Sequence, residues 1–100
     1  MDYRIKANGN DKEIEINGTF TFRDHDKFFE IISEIEKQQG GKIAFNMAGC
    51  DFIDSAALGM LVIASDEASV RHISLAIKNA NGKVKDLMMI ARFETLYDIE

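Results

Sequence analysis

The sequence contains no proline, one cysteine, two histidines and fewer basic than acidic side chains. With no proline, no Ser/Gly-rich stretch and no run of one charge sign, neither a low-complexity segment nor a disordered tail is expected. The lone Cys50 cannot form an internal disulfide, which fits a reducing compartment and a small packing residue rather than a redox sensor. No signal-peptide core follows Met1, and the longest wholly apolar run, Ala56 to Ala64, is too short to span a bilayer. These absences predict a cytoplasmic chain with no membrane insertion. Seventeen acidic against twelve basic residues give a formal net charge of −5. Its lysines are scattered among acids, so nucleic acid is excluded as a partner.

Against these absences stand 46% hydrophobic and 29% charged residues in a chain of 100. That length and composition describe one globular domain over residues 1–100, with a single hydrophobic core. Asp2 to Lys6 and Lys12 to Asn17 read as strands joined by the turn-rich Ala7-Asn8-Gly9-Asn10-Asp11, an antiparallel pair. Thr21 and Asp24 then fit a variant capping box, and Phe28, Ile31, Ile32 and Ile35 follow at helical spacing until Gly40-Gly41. Ile43 to Met47 is the third strand and Ile73 to Ile77 the fourth, with a helix from Ser55 to about Val70 between them. Val84, Leu87, Met88 and Ala91 mark a third helix after the Asn79-Ala80-Asn81-Gly82 loop, and Leu96 to Ile99 can supply a short final strand. The expected order is ββαβαβα.

Alternation sets the layers. Ile14 and Ile16 alternate with Glu13 and Glu15, Phe45 with Asn46, and Leu75 with Ser74 and Ala76. One sheet face is therefore apolar and the other mixed, so the helices belong mainly on one face. The predicted fold class is α/β: a mixed sheet of four to five strands under one layer of helices, not a doubly wound nucleotide-binding fold.

The stretch Cys50 to Leu61 carries the functional signal: an apolar strand runs into Asp54-Ser55, and that pair opens an apolar helix. Both residue types cap helices by accepting bonds from free N–H groups of the first turn, so a capping pair is one reading. The other is that Ser55 is a switch, since a helix N-terminus also tolerates phosphate. Spacing alone leaves both open. Projected at about 100° per residue, Leu58, Leu61, Val62, Ser65 and Ser69 share the face assigned to the sheet. Ala56, Met60, Ile63, Ala64 and Glu67 then point outward, an apolar patch suited to protein docking, or else covered by a loop or a homodimer. Gly59 costs this helix about 1 kcal/mol relative to alanine and permits close approach by the sheet or by a partner.

The run Phe52-Ile53-Asp54-Ser55-Ala56-Ala57-Leu58-Gly59 after a strand resembles the motif of STAS domains, specifically bacterial anti-sigma factor antagonists. The resemblance covers essentially the whole chain, including Gly18 after the second strand and the strands on either side of the motif. It implies that Ser55 is phosphorylated by a partner that is both anti-sigma factor and serine kinase, and restored by a PP2C-type phosphatase. The unphosphorylated form would bind the anti-sigma factor and free the sigma factor. By position, Asp54, Ser55, Ala56, Ala57, Gly59, Met60, Ile63 and Thr21 make the partner-binding surface. No catalysis by this chain and no cofactor are implied. Two departures stand out: Ala57 replaces the usual glycine two residues after the phosphorylated position, and Thr21 stands where many relatives carry aspartate. A second role in the same family is a structural subunit, not phosphorylated, of a lipid-transport ATPase or stress-signalling assembly.

Other candidates are weaker. Asp24-His25-Asp26 cannot converge on one ion, because neighbours on a helix point about 100° apart, so no metal site is expected. Asn79 to Lys83 lacks P-loop spacing. Neither histidine has a local Ser or Cys partner for nucleophilic catalysis. Lys83, Lys85 and Arg92 read as a solvated basic edge of the third helix.

Overall fold

A computed structural model describes the chain from Met1 to Glu100. Strands β1 (Asp2–Asn8) and β2 (Asp11–Phe20) form an antiparallel hairpin around Gly9-Asn10. A 3-10 turn (Phe22–Asp24) leads into helix α1 (His25–Glu36). Then come β3 (Lys42–Asn46), β4 (Cys50–Ile53), α2 (Ser55–Ser69), β5 (Ser74–Lys78), α3 (Gly82–Ile90), a second 3-10 turn (Phe93–Thr95) and β6 (Asp98–Ile99).

The sheet order is β1-β2-β3-β5-β6, parallel except for the first hairpin, and β4 pairs with the far end of β2. Six strands replace the four to five expected. The additional one is β4, because Ala48-Gly49 breaks what ββαβαβα treats as a single strand before α2. Gly49 crosses close to β2: a Cβ there would displace the exposed Asn17 side chain, and the Gly49 carbonyl accepts the Gly18 N–H at 2.9 Å. The tight crossing lets β4 climb alongside β2 and delivers Asp54-Ser55 beyond the sheet's end.

The layering follows the alternation. Ile14, Ile16, Ile43, Phe45, Leu75 and Ile77 join the buried residues of all three helices in one core cluster. An aromatic chain runs through it: Phe20 on Phe28 at 5.2 Å, Phe28 on Phe45 at 6.1 Å, and Phe45 edge-on to Tyr97 at 6.1 Å. Residues of opposite parity lie on the open face. Glu13 pairs with Lys78 at 3.0 Å, Glu15 with Lys6 at 2.9 Å and Arg4 at 3.1 Å, and Lys42 with Glu100 at 2.8 Å. Ala44 and Ala76, neighbours in register, lie buried among these long side chains rather than in the core.

The expected capping box closes the 3-10 turn that precedes α1 rather than α1 itself, whose N-cap Asp24 makes no side-chain cap bond. Asp24 Oδ2 accepts the Thr21 N–H at 2.9 Å, and Thr21 Oγ1 accepts that of Arg23 at 3.4 Å. Partial burial pushes the Asp24 carboxyl upward, but bonds from the Met1 ammonium and the Thr21 N–H outweigh it and hold the group below its usual range.

Candidate functional site

Asp54 is in extended conformation at the N-cap of α2, and its two oxygens do separate jobs. Oδ1 accepts the Ala57 N–H at 2.8 Å, which caps the helix; Oδ2 accepts the Phe22 N–H at 3.2 Å, which ties the β2–α1 connection to the same spot. Ser55 is the first residue of the helix and is exposed. Its hydroxyl makes no hydrogen bond in the chain, and the N–H groups of Ser55 and Ala56 have no acceptor. Of the two readings of this pair, capping belongs to Asp54 alone. Ser55 holds nothing together.

The surface around Ser55 differs from the one expected. Helix α2 buries Ala57, Met60, Leu61, Ala64, Ser65 and Ala68, so its inward face is turned from the predicted one. Met60 and Ala64, expected outward, are 6% and 0% exposed, and Ser69, expected inward, is exposed. The cause is the composition of the helix: apolar nearly all round, it offers the periodicity no single phase, and it packs against both α1 and the sheet. Ala57 is wholly buried, so neither it nor Met60 presents surface to a partner. The methyl group that distinguishes Ala57 from glycine points into the core.

Ser55, Gly59 and Ile63 remain exposed along one stripe of α2, with Ala56, Leu58 and Val62 half-buried beside it. Thr21 is half-buried, occupied as the cap of the 3-10 turn. A Cβ on Gly59 would meet no atom within 4 Å, so the sheet does not require a glycine there. Two aromatic residues near Asp54 in the chain or through its bonds, neither of them among the expected site residues, are exposed as well. Phe22 is 62% exposed and stacks on His25 at 5.0 Å; Phe52 is 52% exposed. The signal for Phe22 was available: directly after a capping Thr, it begins a turn and cannot reach the core. Phe52 had no such signal, because a register shift at Gly18/Thr19 breaks the alternation and leaves β4 buried only at its ends.

The other candidates fall away from this surface. Cys50 is buried, and burial pushes its thiol up. His25 Nδ1 lies 3.0 Å from the Phe22 carbonyl, Asp24 serves the capping box, and no three His, Cys, Asp or Glu side chains gather as a metal site. His72 sits at positive φ in the turn before β5. No helix is long and apolar enough to cross a membrane.

A parallel β2–β4 step into a capped helix, on a mixed sheet covered on one face, is matched from end to end by one family. The STAS domain model aligns with residues 2–99. The chain belongs to the STAS domain family. This STAS domain is 27% identical over 93 residues to a STAS-domain containing protein of Pseudomonas aeruginosa, covering 93% of this chain and 91% of that one. Similar solved structures include a candidate anti-sigma factor antagonist of Thermotoga maritima, with TM-score 0.85 and 18% identity over 97% of this chain and 84% of that chain. The antagonist SpoIIAA of Bacillus is similar in its unphosphorylated form (TM-score 0.76, 14% identity, 99% and 87% covered) and its phosphorylated form (0.73, 12%, 99% and 91%). A sulfate transporter family protein of Wolinella succinogenes shares the fold at TM-score 0.75 and 19% identity, with 91% and 75% covered. At these identities the structures establish a common STAS fold.

Proposed function

We propose that this STAS domain is an anti-sigma factor antagonist whose protein-binding surface is switched by phosphorylation of Ser55. One observation carries the reading: Asp54 performs both structural tasks at the start of α2, leaving an exposed serine hydroxyl with no bond to lose. In its unphosphorylated form the domain binds an anti-sigma factor that is also a serine kinase, sequesters it and thereby controls transcription. The docking surface is the stripe Ser55, Gly59 and Ile63 with Ala56, flanked by Phe22 and Phe52.

Phosphate would add about −1.5 to −2 charges at the centre of that apolar stripe and beside Asp54. Charge at such an interface opposes association by repulsion and by desolvation. A PP2C-type phosphatase restores the binding form. The chain itself supplies no catalytic step. That SpoIIAA has been solved in both phosphorylated and unphosphorylated forms supports the comparison.

The test is incubation of the purified chain with ATP and each serine kinase of the anti-sigma type encoded in its genome. A single phosphate is expected at Ser55, absent from Ser55→Ala, and capture of the kinase should be lost for Ser55→Glu. No modification of the wild type together with unchanged capture by Ser55→Glu would overturn the mechanism. The fold shared with the sulfate transporter family protein keeps a second reading in view, a constitutive subunit of a transport or stress-signalling assembly. That reading predicts association indifferent to kinase and ATP.

A further inference from the structure

Asparagine is followed by glycine at Asn8-Gly9, Asn17-Gly18 and Asn81-Gly82. Such a pair can close into a ring, because glycine has no side chain to keep its amide nitrogen from the asparagine carboxamide. Closure needs a following N–H with no acceptor, a carboxamide that the fold does not hold, and freedom to rotate about the asparagine Cα–C bond. The structure meets these conditions unequally.

At Asn17 the first condition fails. The Gly18 N–H donates to the Gly49 carbonyl at 2.9 Å, in the crossing where the Asn17 side chain lies against Gly49. At Asn8 the third fails: the Gly9 N–H has no acceptor, but Asn8 pairs in register with Asp11 and the hairpin holds the backbone on both sides of Gly9.

Asn81 meets all three. It is exposed and extended (φ −145°, ψ 168°) in the loop between β5 and α3. Although it stands at the N-cap of α3, its side chain makes no cap bond, and its one hydrogen bond runs from Nδ2 to the Asn79 carbonyl at 3.2 Å. Neither its own N–H nor that of Gly82 has an acceptor, so the backbone here is not tied as it is at Asn8. Gly82 sits at φ 56°, where glycine is favoured. The positive end of the α3 dipole favours the deprotonated nitrogen that attacks.

We propose that Asn81 is a deamidation site of the folded chain, converting to aspartate and isoaspartate through a succinimide. The Gly82 nitrogen forms a bond to Asn81 Cγ, the Cγ–Nδ2 bond breaks, and Nδ2 leaves as ammonia with the proton that Gly82 gave up. Water then opens the ring. Cleavage between Cγ and the Gly82 nitrogen gives aspartate on a normal backbone; cleavage at the backbone carbonyl gives isoaspartate, with the chain running through the side chain. The aspartate product places a carboxylate at the N-cap, where it can accept the first-turn N–H groups that asparagine leaves unbonded.

The test is incubation of the purified full chain at mildly alkaline pH, with digestion and mass mapping of samples taken over several weeks. Each conversion adds just under one dalton to its peptide, and isoaspartate is told apart by its fragmentation. Asn81 is expected to convert first, with Asn17 about tenfold slower, the effect of having to break the Gly18 hydrogen bond, and Asn8 between them. In guanidinium chloride the three rates should converge, because the ranking belongs to the fold. An Asn81 that stays intact in the folded chain, an Asn8 or Asn17 that keeps pace with it there, or a ranking that survives unfolding each overturn the proposal.

Discussion

Replacing Asp54 tests whether one carboxylate organises two segments. In Asp54→Ala the α2 cap at Ala57 is lost, which costs about 1 kcal/mol in comparable helices. The Phe22 N–H loses its acceptor as well. That bond is long at 3.2 Å and Phe22 is exposed, so water can replace the carboxylate and the cost is about 1 kcal/mol rather than the upper end for charged acceptors. The sum, about 2 kcal/mol, corresponds to a fall in melting temperature of roughly 10 °C for a domain of this size. Asp54→Asn separates the two bonds. Its single carbonyl oxygen can keep the cap, but its NH2 group then faces the Phe22 N–H and cannot accept from it, so about half of the loss remains. Urea unfolding should show midpoints in the order wild type, Asn, Ala, with an unchanged slope if the folded state stays equally compact. Amide exchange at Phe22 should rise in both variants, and at Ala57 only in Asp54→Ala. Equal midpoints for Asn and Ala, or protection of Phe22 retained in Asp54→Asn, would refute the division of labour between the two oxygens.

Gly59→Ala should stabilise the free chain by about 1 kcal/mol, since the position is helical and nothing crowds a Cβ. Gly59→Arg should fold equally well and lose partner capture, which a pull-down measures; retained capture would remove Gly59 from the interface. Acid should destabilise the sheet through Glu13. Hydrogen bonds from Lys78 and Asn46 hold this carboxyl below its ordinary range, against the upward push of partial burial. The folded state therefore resists protonation more than the unfolded one, so the stabilisation is fully present above the unfolded value near about pH 4.3 and is lost as pH falls through the folded value. Urea midpoints taken from neutral pH down to about pH 3 should decline, and less steeply in Glu13→Gln than in wild type.

The two layers were legible chiefly from β2, where Ile14 and Ile16 alternate with Glu13 and Glu15; β3 and β5, with Ala44 and Ala76 buried as well, set the parity only through their large side chains Ile43, Phe45, Leu75 and Ile77. The capping box at Thr21 and Asp24 was equally plain, being a local pattern met by local bonds. Helix α2 was not. A helix recognised by its apolar content loses its phase once that content surrounds it, and only contact with α1 and the sheet decides that Met60 turns inward and Ile63 outward. Strand β4 was legible only as an apolar stretch running into Asp54, and the ββαβαβα order left it out, because its partner is the far end of β2 and neither the close crossing at Gly49 nor the register shift beside Gly18 leaves a periodic trace. Ser55 could be placed at a helix start from sequence, but which of Asp54 and Ser55 caps the helix depends on where the chain leaves the extended conformation, and that point is Asp54, whose Oδ1 takes the Ala57 N–H.

That last distinction determines how a phosphate could act. Were Ser55 the cap, modifying it would remove a bond that holds α2, and loss of binding could follow simply from loss of structure. With the cap on Asp54, a negative group on Ser55 meets two free N–H groups and the positive end of the helix dipole, worth about 0.3–1 kcal/mol in its favour. Repulsion from the Asp54 carboxylate opposes this with a similar magnitude at an exposed site. The two should nearly cancel, so Ser55→Glu is expected to unfold within about 0.5 kcal/mol of wild type while failing to capture the kinase. Thermal melts and capture, run on the same preparation, separate these outcomes. A Ser55→Glu chain that loses capture only in proportion to lost folded protein would mean that the switch works through the fold; undiminished stability with lost capture would mean that it works through the surface charge at the start of α2.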